Sequence, residues 1–324
     1  MSTSNYIKNV AVVGVSGRSG SHMTEELLKT GKHTVTAITR SDSSSTPPQG
    51  VRVAKVDYND PSTLVAALKG QDALIITMGT MAPPDTQSKL IQAAAEAGVP
   101  WVLPNEWGPD TAHPGLQKDI PLFGKLVTVQ EEVKKLDGKV SALYVDCGFW
   151  YEWSLAIPDS FGVDLLKQEA TLFDNGEVKM SVSTWAQVGR AVAALLSLPV
   201  HAEGGDKEAC LDHYRNKNVY INSFTVSQKD MLDSVYRVTG TKESDWKFSK
   251  EPSKERYDNA IAKMKGGDRM GFVVAMYTRV FFPDDSGDFE KTKGTANKVL
   301  GLPKEDIDEA TKVAIERAKT NPWA

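Results

Sequence analysis

Six short runs of apolar, mostly β-branched residues recur through the first half of the chain: Val10–Val15, Thr34–Thr39, Val51–Val56, Ala73–Thr77, Val99–Leu103 and Val140–Val145. Helical patterns separate them near Ser19–Thr30, Pro61–Leu68, Pro84–Ala97 and Ile120–Leu136. Strands that are apolar throughout, instead of alternating with polar residues, belong in a parallel sheet covered on both faces. The alternation therefore predicts an α/β fold on a doubly wound parallel sheet. Helix limits agree. Asp60 is placed to cap a helix opening at Pro61, and Gly98 lies just past the end of another.

The first strand runs directly into Gly14-Val-Ser-Gly17-Arg-Ser-Gly20, which opens a helix. In that context the glycines have distinct tasks. Gly14 permits the tight turn, Gly17 lets the backbone approach a pyrophosphate, and Gly20 lets the helix pack on the sheet. The helix N-terminus then offers free N–H groups to the phosphates, with Ser16, Arg18 and Ser19 beside them. This predicts a Rossmann-type dinucleotide site. Its usual acidic residue after the second strand is replaced by Arg40, twenty residues beyond Gly20, whose planar fork suits a 2′-phosphate. NADP(H) is therefore the expected cofactor, the other reading of Arg40 being a solvated loop residue. Asp57 suits either a hydrogen bond from the adenine amino group or a turn ahead of Asn59-Asp60-Pro61. Thr77, Met78 and Gly79, at the fourth strand's carboxyl end, should flank the cofactor.

The second half reads as mixed. Asn175-Gly176 between apolar neighbours predicts a two-residue hairpin. Thr184–Leu198 places Trp185, Val188, Val192, Leu195 and Leu196 on one helical face, Asn218–Ile221 reads as a strand, and amphipathic helices follow. Ser41–Pro48 is a polar surface loop. The expected organisation is an NADP-binding domain over residues 1–150 and a smaller mixed α/β substrate-covering region over residues 151–324, with some strands and helices returning to the first core.

Composition narrows the function. Among 324 residues, 38 basic face 42 acidic ones, so no broad positive surface is available for nucleic acid or anionic membrane. No apolar stretch reaches the ~18 residues of a membrane span. Two cysteines cannot build a disulfide framework, and the first residues lack a secretory pattern, so a cytoplasmic location is expected. The five histidines lack metal-site spacing, and no metal is expected.

The glycine spacing, Arg40, and Leu103-Pro-Asn-Glu-Trp-Gly-Pro-Asp110 after the fifth strand together resemble the NmrA-like and isoflavone-reductase-like family. This is the atypical short-chain dehydrogenase branch that includes phenylcoumaran benzylic ether and pinoresinol–lariciresinol reductases. The likeness runs to about Pro199. Members usually carry Pro-Ser-Glu-Phe-Gly, where this chain has Asn105 and Trp107 in place of Ser and Phe. The resemblance implies a catalytic lysine downstream, matched by Lys125, and Asn105 beside the cofactor. No tyrosine is followed four residues later by lysine, so the familiar Tyr-x-x-x-Lys dyad is absent.

The resemblance implies an NADPH-dependent reductase of secondary metabolism. It would transfer hydride to a small aromatic, phenolic or polyketide-derived carbonyl, enone or benzylic ether. Lys125 would act as acid–base; otherwise it is a solvated helix residue. Glu106, Trp107 and His113 lie where a substrate cleft should be, the other readings being core for Trp107 and polar surface for His113. Phe149, Trp150, Tyr151 and Trp153 could line an aromatic pocket or pack the two regions together. The family also contains NADP(H)-sensing regulators that act through partner proteins, and that reading stays open at this point.

Overall fold

The computed structural model describes residues 4–79 and 82–323, with Lys125 and Leu126 described by their backbone alone. The first half runs β1 (Asn9–Val13), α1 (Arg18–Lys29), β2 (Thr34–Arg40), β3 (Arg52–Val56), α2 (Pro61–Leu68), β4 (Ala73–Ile76), α3 (Thr86–Ala97), β5 (Trp101–Leu103), α4 (Pro114–Asp119), α5 (Pro121–Lys135) and β6 (Ser141–Asp146). The rest adds β7 (Phe149–Trp150), α6 (Tyr151–Ser154), α7 (Pro158–Phe161), β8 (Val163–Asp164), β9 (Glu169–Phe173), β10 (Met180–Ser183), α8 (Trp185–Leu196), β11 (Lys217–Tyr220), β12 (Phe224–Val226), α9 (Gln228–Thr239), β13 (Lys247–Glu251), α10 (Ser253–Lys265), α11 (Arg269–Arg279), α12 (Phe289–Lys293) and α13 (Ile307–Thr320).

Among the described residues, seven strands form one parallel sheet in the order β11-β6-β5-β4-β1-β2-β3. Its alternate residues fill two different cores. Val10, Val12, Ile75 and Leu103 face α1 and α8, whereas Ala11, Val13, Leu74, Ile76 and Val102 face α2, α3 and α5. Both faces need apolar side chains, which is why the strands are apolar throughout. Each fully buried Val or Leu contributes roughly 1.5–3 kcal/mol. The chain lays β2 and β3 on one side of β1, then crosses to lay β4 and β5 on the other. That reversal opens a crevice at the carboxyl ends of β1 and β4, the place where such sheets take ligands.

Residues beyond β6 contribute to this sheet as well. α8 packs on α1, and β11 pairs with β6. The remaining elements build a third core around Phe149, Tyr151, Phe161, Phe173, Tyr277 and Phe281, with two three-stranded sheets, β12-β10-β7 and β13-β9-β8.

The expected hairpin does not form. A turn is present, with Asp174 at φ 55° and Gly176 at φ 72°, yet β9 pairs with β8 and β13 while β10 pairs with β7 and β12. The buried side chain of Gln228 takes up backbone groups of β9: it accepts from Phe173 N–H at 2.8 Å and donates to Thr171 O at 2.9 Å. A side-chain amide at the strand's end satisfies groups that a hairpin partner would have taken.

Candidate functional site

At the crevice, Gly14 leaves β1 with φ 88°. A Cβ there would lie 2.0 Å from Thr77 O, and one on Gly20 would lie 2.1 Å from Gly14 O. Thr77 is drawn in because its hydroxyl donates to Val13 O at 2.7 Å and its N–H to the same oxygen at 3.0 Å. Two of the three glycines are thus closed against the fold. Gly17 is different: a Cβ there would meet Gly14 O at 3.2 Å and no other described atom within 4 Å. Its exposed backbone precedes the first N–H groups of α1, which have no partner within the helix. The open side of the loop is therefore a cradle shaped for an anion on a helix N-terminus.

On the β2 side, Arg40 stands exposed at the strand's end, its guanidinium 3.5 Å from the Asp42 carboxylate. Neither side chain is restrained by burial, so a phosphate can displace Asp42 as its partner. Asp57 takes the turn role: its carboxylate accepts from Asn59 N–H at 2.8 Å. Ser16 meets Ser45 of the polar loop at 2.6 Å between hydroxyls. Ser19 lies half-buried in the first turn of α1. Arg18 turns away from the cradle. Its guanidinium stacks on Trp153 at 4.1 Å and donates to Trp323 O at 3.1 Å, with Arg317 over the same ring at 4.5 Å. Trp185 lies 6.2 Å from both Trp150 and Trp153.

On the β4–β6 side, the loop after β5 reaches across to the one after β4. Asn105 Oδ1 accepts from Met78 N–H at 2.9 Å, and its Nδ2 donates to Met78 O at 3.2 Å. Trp107 Nε1–H donates to Ile76 O at 2.9 Å. Gly79 is exposed at the crevice. Glu106 points the opposite way into the interior, where burial and the nearby Asp146 push its carboxyl well above the ordinary range. Asp146, wholly buried, accepts from Thr111 N–H at 2.8 Å and Asn218 Nδ2 at 2.7 Å, yet burial still pushes it up to about 8. Both shifts have one main cause, since burial disfavours the charged form of a carboxyl.

Several expected substrate residues have other tasks. His113 Nδ1 accepts from Gly115 and Leu116 N–H groups and caps α4. Phe149 packs 4.2 Å from Tyr277, and Tyr151 is fully buried with its hydroxyl 2.8 Å from that of Thr311. These two rings build the third core, because β7 and α6 turn directly into it, and they do not line the crevice. Trp150 stays half-buried, and Glu106 is too deep to touch substrate. Lys125 sits on α5, but its side chain lies outside the described residues. No group of three His, Cys, Asp or Glu suited to a metal occurs among the described residues, and no helix there is long and apolar enough to cross a membrane.

Sequence reasoning missed Gln87, Ser45, Asp146 and Arg317, which act through partners distant in sequence; Trp153 was legible as part of the aromatic run after β6.

The glycine loop at the sheet's reversal, with an exposed arginine at the end of the next strand, is joined by a family match. The model of the NmrA-like family matches residues 7–209. This chain belongs to the NmrA-like family. Oxidoreductase aprR of Aspergillus flavus is 31% identical, covering 93% of this chain and 96% of that protein. Solved structures share the fold. Leucoanthocyanidin reductase of Vitis vinifera in its binary complex with NADPH has a TM-score of 0.72 at 15% identity, covering 95% of this chain and 99% of that one. The pinoresinol–lariciresinol and phenylcoumaran benzylic ether reductases give 0.70 at 21% identity, covering 93% and 98%.

Proposed function

We propose that this NmrA-like protein is an NADPH-dependent oxidoreductase that reduces a small aromatic or phenolic carbonyl, enone or benzylic ether. The observation that carries the reading is the cradle itself: Gly14 and Gly20 packed shut, Gly17 open onto α1, and Arg40 exposed at the end of β2. The names of its relatives agree, being oxidoreductases and reductases of phenolic compounds.

The residues divide the work along the strand order. Arg40 would hold the 2′-phosphate on the β2 side and the backbone from Gly17 to Gly20 the pyrophosphate of NADPH, which when bound would supply a hydride. Reduction also consumes one proton, and Lys125 Nζ delivers it to the substrate oxygen. A lysine desolvated by an aromatic substrate falls into the pKa range suited to this task. The half-buried indole of Trp107, whose N–H bonds Ile76 O, adds an apolar surface at the carboxyl end of β4.

NADPH oxidation should be followed against phenolic ketones, enones, quinones and benzylic ethers. Turnover with a preference for NADPH is the expected result; tight NADPH binding with no turnover across the panel would replace the enzyme with an NADP(H)-sensing regulator. Two variants refine the assignment. Arg40→Glu should weaken NADPH binding by about 2 kcal/mol, some thirtyfold, and leave NADH binding nearly unchanged, as read by paired titrations. Lys125→Ala should lower kcat by roughly 100-fold with NADPH affinity preserved, and wild-type turnover would remove the lysine from the reaction.

A further inference from the structure

Asn105 and Trp107, both in the segment after β5, bond to the carboxyl end of β4 and the residues just beyond it. β5 ends at Leu103, paired with Ile75, and the next residue is Pro104, which has no N–H to extend the ladder. The Asn105 side chain takes over. Its amide offers Met78 a carbonyl oxygen and an N–H, the two groups of a peptide unit, at 2.9 and 3.2 Å. Two residues on, the Trp107 indole N–H bonds Ile76 O at 2.9 Å. Asn105 is itself anchored, its own N–H donating to Gln87 Oε1 on α3 at 2.7 Å.

Thr77, between the two braced residues, faces the other way and bonds Val13 O beside the glycine loop. Residues 76–78 are therefore held from both sides, by β1 through Thr77 and by the β5 loop through Ile76 and Met78. A serine and a phenylalanine at these two positions could not reproduce this. A serine hydroxyl is shorter than the asparagine amide and has one donor where the amide has two, and a phenyl ring has no N–H.

We infer that Asn105 and Trp107 are positioning residues that hold Met78-Gly79 as the wall of the nicotinamide half of the dinucleotide site. The inference rests on the cofactor reading above. Asn105 acts through Met78, with its amide engaged by that residue's backbone.

The strand order supplies the test, because Met78 lies on the β4 side and Arg40 on the β2 side of β1. Affinities for NADPH and for 2′,5′-ADP, which carries only the adenosine half, should be measured in wild type, Asn105→Ala and Trp107→Phe, with melting temperatures alongside. In Asn105→Ala, NADPH binding is expected to weaken about tenfold, as two hydrogen bonds are lost, while 2′,5′-ADP affinity is unchanged. Trp107→Phe, which removes one N–H and keeps the aromatic volume, should show a smaller change of the same kind. It decides the matter if Asn105→Ala fails to fold. Equal affinities in wild type and folded variants would overturn the inference, as would parallel loss of both ligands, which marks a general structural role. Failure of wild type to bind either ligand would instead overturn the cofactor reading, and this inference with it.

Discussion

Gly17→Ala is expected to fold like the wild type and to lose dinucleotide binding, whereas Gly14→Ala should lose both. The difference follows from what each methyl group meets. At Gly17 the nearest described atom is Gly14 O at 3.2 Å, a contact relieved by a shift of a few tenths of an ångström. The methyl would then stand on the exposed side of the loop, where a pyrophosphate must approach the backbone. At Gly14 it would sit 2.0 Å from Thr77 O, a backbone atom of the adjacent strand's end, on a residue with φ 88°. The left-handed conformation alone costs about 1–2 kcal/mol, and overpacking adds roughly 1–3. Their sum is a large share of the ~5–15 kcal/mol that holds a domain folded. Thermal melts and NADPH titrations on both variants check this. A Gly17→Ala protein that binds NADPH normally would contradict the cradle.

The second large effect is on pH. Three buried carboxyls, Glu106, Asp146 and Glu152, are all raised, chiefly by burial: Asp146 to about 8 and Glu152 to about 7. Each binds its proton more tightly in the folded chain than in the unfolded one, where the ordinary values are 3.8 for Asp and 4.5 for Glu. For a raised acid, stability is fully present below the unfolded value and is lost as pH rises toward the folded one. Each contributes a slope of about 1.4 kcal/mol per pH unit within its window. His22 and His33, lowered mainly by burial, oppose this only below their unfolded value of 6.5. Urea denaturation should therefore show the protein less stable at about pH 8 than at about pH 6.

Glu152→Gln isolates one contribution. Gln keeps an oxygen to accept from Trp185 N–H, as Glu152 does at 2.9 Å, and cannot ionise. Its stability relative to wild type should rise by about 3 kcal/mol between pH ~4.5 and ~7, then level off. A constant difference across that window would show that Glu152 is not protonated in the folded protein.

Local chemistry made much of this molecule legible. The glycine loop, the strands β1 to β6 and the helix limits at Asp60 and Gly98 depend on neighbours a few residues away, and each is where the residue pattern puts it. The hairpin expected at Asn175-Gly176 went wrong because turn chemistry specifies a reversal and not the strand's partner. Gln228, some fifty residues on, decides that. The same limit applied at the site. Nothing near Asn105 announces that its amide serves Met78, and nothing near Arg18 points to Trp323. The aromatic run after β6 divided between a buried pair and two indoles near α1. That depended on how β7 and α6 turn, which composition does not encode.

The path of the chain between its two regions limits how the protein can move. It leaves the sheet after β6, returns with α8, contributes β11, and leaves again toward β12. Bonds such as Ser183 Oγ to Cys147 O at 2.6 Å lie along these crossings. Two bodies joined by one linker rotate about a single hinge. Bodies joined at several crossings rotate only if every crossing bends together, so each crossing narrows the relative motion open to the two regions.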